Sequence, residues 1–356
     1  MIYIDASRFN NTSQKTGVEN YSYFLINELV KLDSKDITLI SPRKIDLPAK
    51  QIIIPFPRLW TQIRLSWKIL WNRKIDNLFV PSHVMPIIHP KNTTITIHDV
   101  AFKRYPKSYG YLSRLYLNWG TKFAVKHAKN IIVPSVTTKK DLIKYYAANE
   151  DKIVVIPLGY KTQCKDALRC ASKIGKYTLK AKSYFLFVGR IESKKNVQTL
   201  IKAFNDVSKI HPHIKLVLAG KPGVGGDKIM EMCQGVPDII TTGYVSDEEK
   251  WALLKNCLCF VFPSLFEGFG IPLLEAMDAN VPIIASKIPT SYEIAKENAL
   301  FFEPHNVKAL VKHMKNIIEK PELCKHLTQN HTISLKKYSW RNCASKTLKV
   351  LLGQLK

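Results

Sequence analysis

Short runs of β-branched and aromatic residues recur along the chain, with amphipathic stretches between most of them. Ile2-Tyr3-Ile4-Asp5-Ala6 predicts a first strand. Val18 to Lys31, with Tyr21, Phe24, Leu25 and Leu29 at helical spacing, predicts a first helix. Residues 37–40, 52–54, 94–97, 131–133 and 153–156 predict further strands. Continuous apolar strands alternating with helices imply a parallel sheet covered on both faces. After Pro157-Leu158-Gly159 the rhythm stops, and the lysine-rich stretch 160–182 predicts a linker or peripheral segment. The rhythm resumes with strands over 184–188, 214–219, 257–262 and 282–285 and helices over 197–209, 247–255 and 272–280. From Asn306 onward the pattern is helical. The expectation is α/β: two facing, Rossmann-like, doubly wound domains over 1–170 and 183–337. Ligands would then bind at the carboxyl ends of the strands, in the cleft between the domains.

Charge narrows the choice of partner. The 356 residues include 54 Lys and Arg against 28 Asp and Glu, a net charge of +26. That excess favours nucleic acid, an anionic membrane surface or phosphorylated ligands. The apolar share of 46% excludes a disordered chain. Met1 to Asp5 has no basic leader region, and no apolar run reaches the length of a spanning helix. The seven cysteines include no Cys-x-x-Cys pair, so neither a disulfide framework nor a zinc site is expected, and a reducing cytoplasm is.

Four segments are placed to carry chemistry. In Phe262-Pro263-Ser264-Leu265-Phe266-Glu267-Gly268-Phe269-Gly270-Ile271-Pro272-Leu273-Leu274-Glu275, a strand runs through two glycines into a helix start. Glycines there let a ligand approach backbone N–H groups, and a helix N-terminus attracts anions. Glu267 and Glu275 would flank a sugar and a ribose; the plainer alternative is a glycine turn with a favourable acid near a helix start. In Val188-Gly189-Arg190-Ile191-Glu192-Ser193-Lys194-Lys195-Asn196, the Arg190 fork and the Lys195 point charge suit a diphosphate, and a solvated basic loop is the alternative. His98-Asp99 suits a hydroxyl contact or an acid–base step, although such a His is often structural. Thr16-Gly17-Val18 has the chemistry of a helix start.

Together these segments resemble glycosyltransferase family 4, retaining enzymes of the GT-B fold. The resemblance rests on Glu267 and Glu275 around Gly268-Phe269-Gly270, on Gly189-Arg190 with Lys195-Asn196, on Gly17, on His98-Asp99 and on Trp340. It implies that Arg190 and Lys195 hold the diphosphate of a nucleotide-sugar and that Glu275 binds the ribose. It also implies that Glu267 and the backbone of Gly268, Phe269, Gly270 and Ile271 contact the donor sugar. His98 would approach the transferred sugar from the other domain. Gly17 would let the first helix approach the phosphates and acceptor, Tyr244 and Val245 would lie near the base, and residues 338–356 would cross back to the first domain. No Asp-x-Asp motif is present, so no metal or other cofactor is expected. The region of His98-Asp99 and Trp60-Thr61-Gln62 leans towards GDP-mannose, with UDP-hexose next, and towards capsule, O-antigen or lipopolysaccharide synthesis. Retention by front-face attack or through a covalent intermediate stays open.

Between Arg58 and Lys129 there are 13 basic residues and only two acids, Asp76 and Asp99. Trp60, Trp67 and Trp71 share one face at helical spacing, and Tyr105, Tyr109, Tyr111, Tyr116 and Trp119 accompany the second basic cluster. This mixture suits an interfacial helix on an anionic bilayer, a lipid-linked glycan acceptor and a peripheral position on the membrane; core packing of the tryptophans is the alternative. The competing functions are a basic nucleic-acid-binding protein, for which no binding motif is found, and a non-catalytic nucleotide-sugar sensor.

Overall fold

A computed structural model describes residues 1–9, 16–55, 60–72, 74–160, 173–174 and 177–355. The chain forms two compact units, Met1–Gly159 with Tyr338–Lys356, and Tyr160–Lys337. The change of unit falls at Gly159–Tyr160; the expected boundary at residue 170 lies outside the described residues, as do Cys164 and Cys170.

The first unit holds seven strands: β1 (Ile2–Asp5), β2 (Ile37–Ser41), β3 (Lys50–Ile53), β4 (Asn77–Val80), β5 (Asn92–Thr96), β6 (Asn130–Val133) and β7 (Ile153–Val155). They form one sheet in the order β3-β2-β1-β4-β5-β6-β7, with every pair parallel. A two-stranded antiparallel hairpin, β8 (Lys173–Ile174) and β9 (Tyr177–Thr178), lies within the stretch expected to be a linker or peripheral segment. The second unit continues with β10 (Tyr184–Val188), β11 (Lys215–Ala219), β12 (Ile239–Gly243), β13 (Cys259–Phe262), β14 (Ile283–Ser286) and β15 (Leu300–Phe302). Its sheet is also parallel, in the order β12-β11-β10-β13-β14-β15. Both sheets reverse direction beside their first strand, between β1 and β4 and between β10 and β13. Such a switch point opens a crevice at the strand ends where ligands bind.

The helices of the first unit are α1 (Gly17–Leu32), α2 (Ser66–Trp71), α3 (Ala101–Arg104), α4 (Tyr111–His127) and α5 (Val136–Tyr146). The second unit carries α6 (Val197–Ser208), α7 (Gly226–Glu231), α8 (Asp247–Asn256), α9 (Ile271–Asp278), α10 (Pro289–Ala295), α11 (Val307–Glu319), α12 (Pro321–Thr328) and α13 (His331–Leu335). The last helix, α14 (Trp340–Leu351), belongs to the first unit. There it packs on α1, with the Phe24 and Trp340 rings stacked 5.3 Å apart. A Cβ on Gly159 would lie 2.3 Å from the Trp340 amide nitrogen, so only glycine fits where the chain leaves the unit. α1 starts at a reciprocal cap: Thr16 Oγ1 accepts from the Glu19 amide, and Glu19 Oε2 accepts from the Thr16 amide at 2.8 Å.

Within the two parallel sheets, three strands escape the sequence pattern: β4, β12 and β15. β4 sits mid-sheet, but its apolar run Leu78-Phe79-Val80 before Pro81 holds one β-branched residue, where the runs at 52–54 and 131–133 hold three. β12 is an edge strand with two apolar residues, Ile239 and Ile240. The tryptophan face is also corrected. Residues 60–65 wind as a π-helical turn before α2, and this wider turn breaks the phase between Trp60 and the other two. Trp60 is buried, with its Nε1 donating to the Ile54 carbonyl at 3.0 Å, whereas Trp67 and Trp71 are exposed.

Candidate functional site

The sharpest chemistry gathers at the switch point of the second sheet. The loop after β10 carries Gly189, Arg190 and Lys195; the loop after the neighbouring β13 carries Ser264 to Gly270. Two links tie the loops together. The Leu265 amide donates to the Lys194 carbonyl at 2.9 Å, and Lys195 Nζ meets Glu267 Oε1 at 2.5 Å. Ser264 Oγ donates to the same Oε1 at 2.7 Å, and Thr290 Oγ1 donates to the Glu267 carbonyl at 2.8 Å. Glu267 is therefore fixed at both its backbone and its carboxylate. Arg190 is exposed and forms no ion pair with a described residue.

Glycine geometry shapes these loops. Gly189 and Gly220, at the ends of adjacent β10 and β11, have φ near +150°, and a Cβ on Gly220 would fall 1.8 Å from the Gly189 carbonyl oxygen. Gly270 caps α9 with φ 115°, a region that side chains avoid. Gly268 is half-buried, Phe269 is buried, and Ile271 opens the helix with Pro272 second. The first amides of α9 thus emerge from the loop that carries Glu267.

Glu275 is buried on α9, and its Oε1 accepts from Lys250 Nζ at 2.7 Å. Lys250 comes from α8 and also reaches Asp247 at 3.4 Å. Burial alone would push the Lys250 ammonium down; the Glu275 carboxylate, helped by Asp247, more than reverses this and holds its pKa above the usual value. Tyr244 and half-buried Val245 follow β12, which β11 and β10 separate from β13. The Tyr244 ring is exposed with the Lys221 ammonium 5.2 Å from its centre.

The first unit carries His98 and Gly17. His98 follows β5, and its Nε2 lies 3.3 Å from the carbonyl of Pro81, which follows β4. A carbonyl only accepts, so Nε2 carries the proton and Nδ1 is left as an acceptor. Tyr21 packs edge-on at 4.5 Å and His83 at 5.2 Å. Burial, aided by His83, lowers the His98 pKa to about 3, so the ring is neutral at physiological pH. The expected His98-Asp99 partnership is not built as an acid–base dyad: Asp99 Oδ1 accepts from the Ala101 amide at 2.9 Å at the start of α3. Gly17 opens α1 with nothing within 4 Å of where a Cβ would stand.

The comparisons with known proteins fit this geometry. The sequence profile described as Glycosyl transferases group 1 matches residues 173–333, and that described as Glycosyltransferase Family 4 matches residues 15–163. O-antigen chain mannosyltransferase RfbU of Salmonella typhimurium is 30% identical over 270 residues, 74% of this chain and 70% of that protein. The chain belongs to this glycosyltransferase family. O-antigen chain mannosyltransferase B of Escherichia coli is 26% identical over 259 residues, 71% of this chain and 68% of that one. Among solved structures, WaaG, a glycosyltransferase involved in lipopolysaccharide biosynthesis, has a TM-score of 0.75 at 15% identity, covering 99% of this chain and 100% of that chain. HepE of Anabaena, in complex with UDP and glucose, has a TM-score of 0.71 at 15% identity, covering 99% and 98%. The fold of this glycosyltransferase is GT-B.

Several groups at these sites went unnoticed in the sequence. Ser264 and Thr290 hold Glu267, and Lys250 holds Glu275. In the first unit, buried Asp5 ends β1, and His83 buries an Nδ1 with no hydrogen-bond partner among the described residues. Their position at a switch point was the available signal, and it required β4 to be recognised as a strand.

Proposed function

We propose that this glycosyltransferase moves a hexose, with retention, from a nucleotide-sugar to a hydroxyl of a lipid-linked or cell-surface glycan. One observation carries the reading: the Lys195–Glu267 bridge joins the two loops at the switch point of the second sheet, beside the start of α9. When the bond from the anomeric carbon to the diphosphate breaks, negative charge grows on the departing phosphate. Fixed cations and helix-start amides aimed at that charge lower the barrier. Lys195, Arg190 and the amides of Gly268 to Ile271 are assigned this task, and no divalent cation is assigned to it. Glu267 is placed against the donor sugar, Glu275 against the ribose, and Tyr244 with Val245 near the base. His98 is assigned to the transferred sugar as a neutral hydrogen-bonding group, and Gly17 to the phosphates and acceptor.

GDP-mannose is the preferred donor of this reading and UDP-hexose the second, with an O-antigen, capsule or lipopolysaccharide glycan as product. Similarity to two O-antigen mannosyltransferases supports the mannosyl preference. The reading places the reaction on the cytoplasmic side.

A thermal-shift panel of UDP, GDP, ADP and dTDP tests the donor. A ligand present at about 100 times its Kd stabilises the native state by about 2.7 kcal/mol. GDP is expected to raise the melting temperature most, with no change on adding EDTA. No shift with any diphosphate would sink the assignment.

A further inference from the structure

The loop that follows β11, residues 220–226, holds four glycines in seven positions. It is zipped to the loop that carries Arg190 and Lys195. The Ile191 amide donates to the Lys221 carbonyl at 3.0 Å, the Gly223 amide to the Ile191 carbonyl at 2.9 Å, and the Ser193 amide to the Val224 carbonyl at 3.2 Å. Glycine permits this closeness. A Cβ on Gly225 would fall 2.3 Å from Ser193 Oγ, and one on Gly226 would fall 2.5 Å from the Ile191 carbonyl oxygen. The two loops therefore make one braced ledge at the carboxyl ends of β10 and β11.

Lys221 stands on this ledge. Its side chain is exposed and forms no ion pair with a described residue. Its ammonium lies 5.2 Å from the centre of the Tyr244 ring, which is 48% exposed and follows the edge strand β12. The electron-rich face of the ring attracts the cation and fixes where it points. Along the strand order the polar groups then fall in a row: Tyr244 after β12, Lys221 after β11, Arg190 and Lys195 after β10, Glu267 after β13. A nucleotide-sugar has its parts in a matching order, with the base at one end, the diphosphate in the middle and the sugar at the other. Laid along that row, it brings its base to Lys221 and leaves its diphosphate to Arg190 and Lys195.

An ammonium only donates hydrogen bonds. Guanine offers it two acceptors on one edge, O6 and N7. Adenine sets an amino donor beside its N7, and a pyrimidine has no N7 at all. A lysine in this place therefore distinguishes bases, whereas an aromatic ring alone stacks on any of them.

We propose that Lys221 selects the base of the donor by donating to the O6 and N7 edge of guanine, with the Tyr244 ring holding its ammonium in position. The inference rests on the nucleotide-sugar reading and adds to it the residue that chooses the nucleotide.

Calorimetric titration of the full chain with GDP, 7-deaza-GDP, ADP and UDP tests it. The wild-type chain should bind GDP most tightly, and 7-deaza-GDP, which lacks the N7 acceptor, at least about fivefold more weakly. Lys221→Met should lose at least about fivefold on GDP and less than about threefold on ADP and UDP. In that variant the 7-deaza penalty should vanish, which loss of a general attraction for phosphate does not produce. Lys221→Arg should keep the preference for guanine, since its fork reaches the same two acceptors. The thermal melt of both variants should match the wild type, because the side chain is exposed. Equal weakening of all four ligands by Lys221→Met, a 7-deaza penalty that persists in it, or tighter wild-type binding of ADP or UDP than of GDP would overturn the proposal and leave the nucleotide-sugar reading standing. Binding of none of the four would overturn both.

Discussion

The two sheets share one strand order and one switch point, yet the groups at their switch points are in opposite electrical states. In the second unit they are ionised and paired: Lys195 with Glu267, and Lys250 with Glu275. In the first unit they are pushed towards neutrality. Burial holds His98 and His83 below, and Asp5 above, their ordinary pKa values. A paired ionic frame suits a ligand that carries and gains negative charge. Neutral donors and acceptors suit hydroxyl groups, which exchange hydrogen bonds without bringing charge. On the proposed reading, one topology serves both halves of a transfer reaction, and the residues at the strand ends divide the labour.

The strongest way to break this comparison is to neutralise the second frame. Glu267→Gln keeps the shape and the Ser264 contact but removes the charge that positions Lys195. Turnover should fall about 100- to 1000-fold with the melting temperature little changed; unchanged turnover refutes the role. Next in size is Gly220→Ala, whose methyl group meets the Gly189 carbonyl. It should cost about 2–4 kcal/mol of stability in denaturant unfolding and weaken donor binding, because it displaces the loop that carries Arg190.

Lys250→Met leaves the Glu275 carboxylate buried without its ammonium partner. The expected loss is about 2 kcal/mol, less than for a fully buried pair because the lysine is partly exposed. Adding Glu275→Gln to that variant should restore part of it. At neutral pH the smallest effect belongs to the first unit. Native His98 binds a proton only near pH 3, whereas the unfolded chain binds one near 6.5. Its contribution is full above about pH 6.5 and is lost as pH falls towards 3, at up to about 1.4 kcal/mol per pH unit. His98→Gln should flatten the acid limb of stability against pH, with His83, His313 and His331 supplying part of the slope that remains.

Much of this was legible in the chain. Ten of the strands announced themselves as β-branched or aromatic runs, and the glycine-flanked Glu267 segment stood out because a loop and a helix start leave local marks. What stayed hidden was hidden for physical reasons. β4 lies mid-sheet and is held by neighbours on both sides, so its own run needs only one β-branched residue. Lys250 lies 25 residues from Glu275, and Thr290 lies 23 from Glu267, so neither pairing leaves a local spacing to read. The tryptophan spacing misled because it assumes uniform winding, and the π turn over 60–65 does not provide it.

The route of the chain has a consequence for how the molecule is made. The first unit is composed of two pieces, and its closing helix leaves the ribosome only after all of Tyr160–Lys337 has been translated. Until then the part of α1 that α14 covers, with Phe24, and the slot at Gly159 lack their partner. The nascent amino-terminal unit must therefore wait, with α1 uncapped along one flank, while its younger neighbour is synthesised and free to fold.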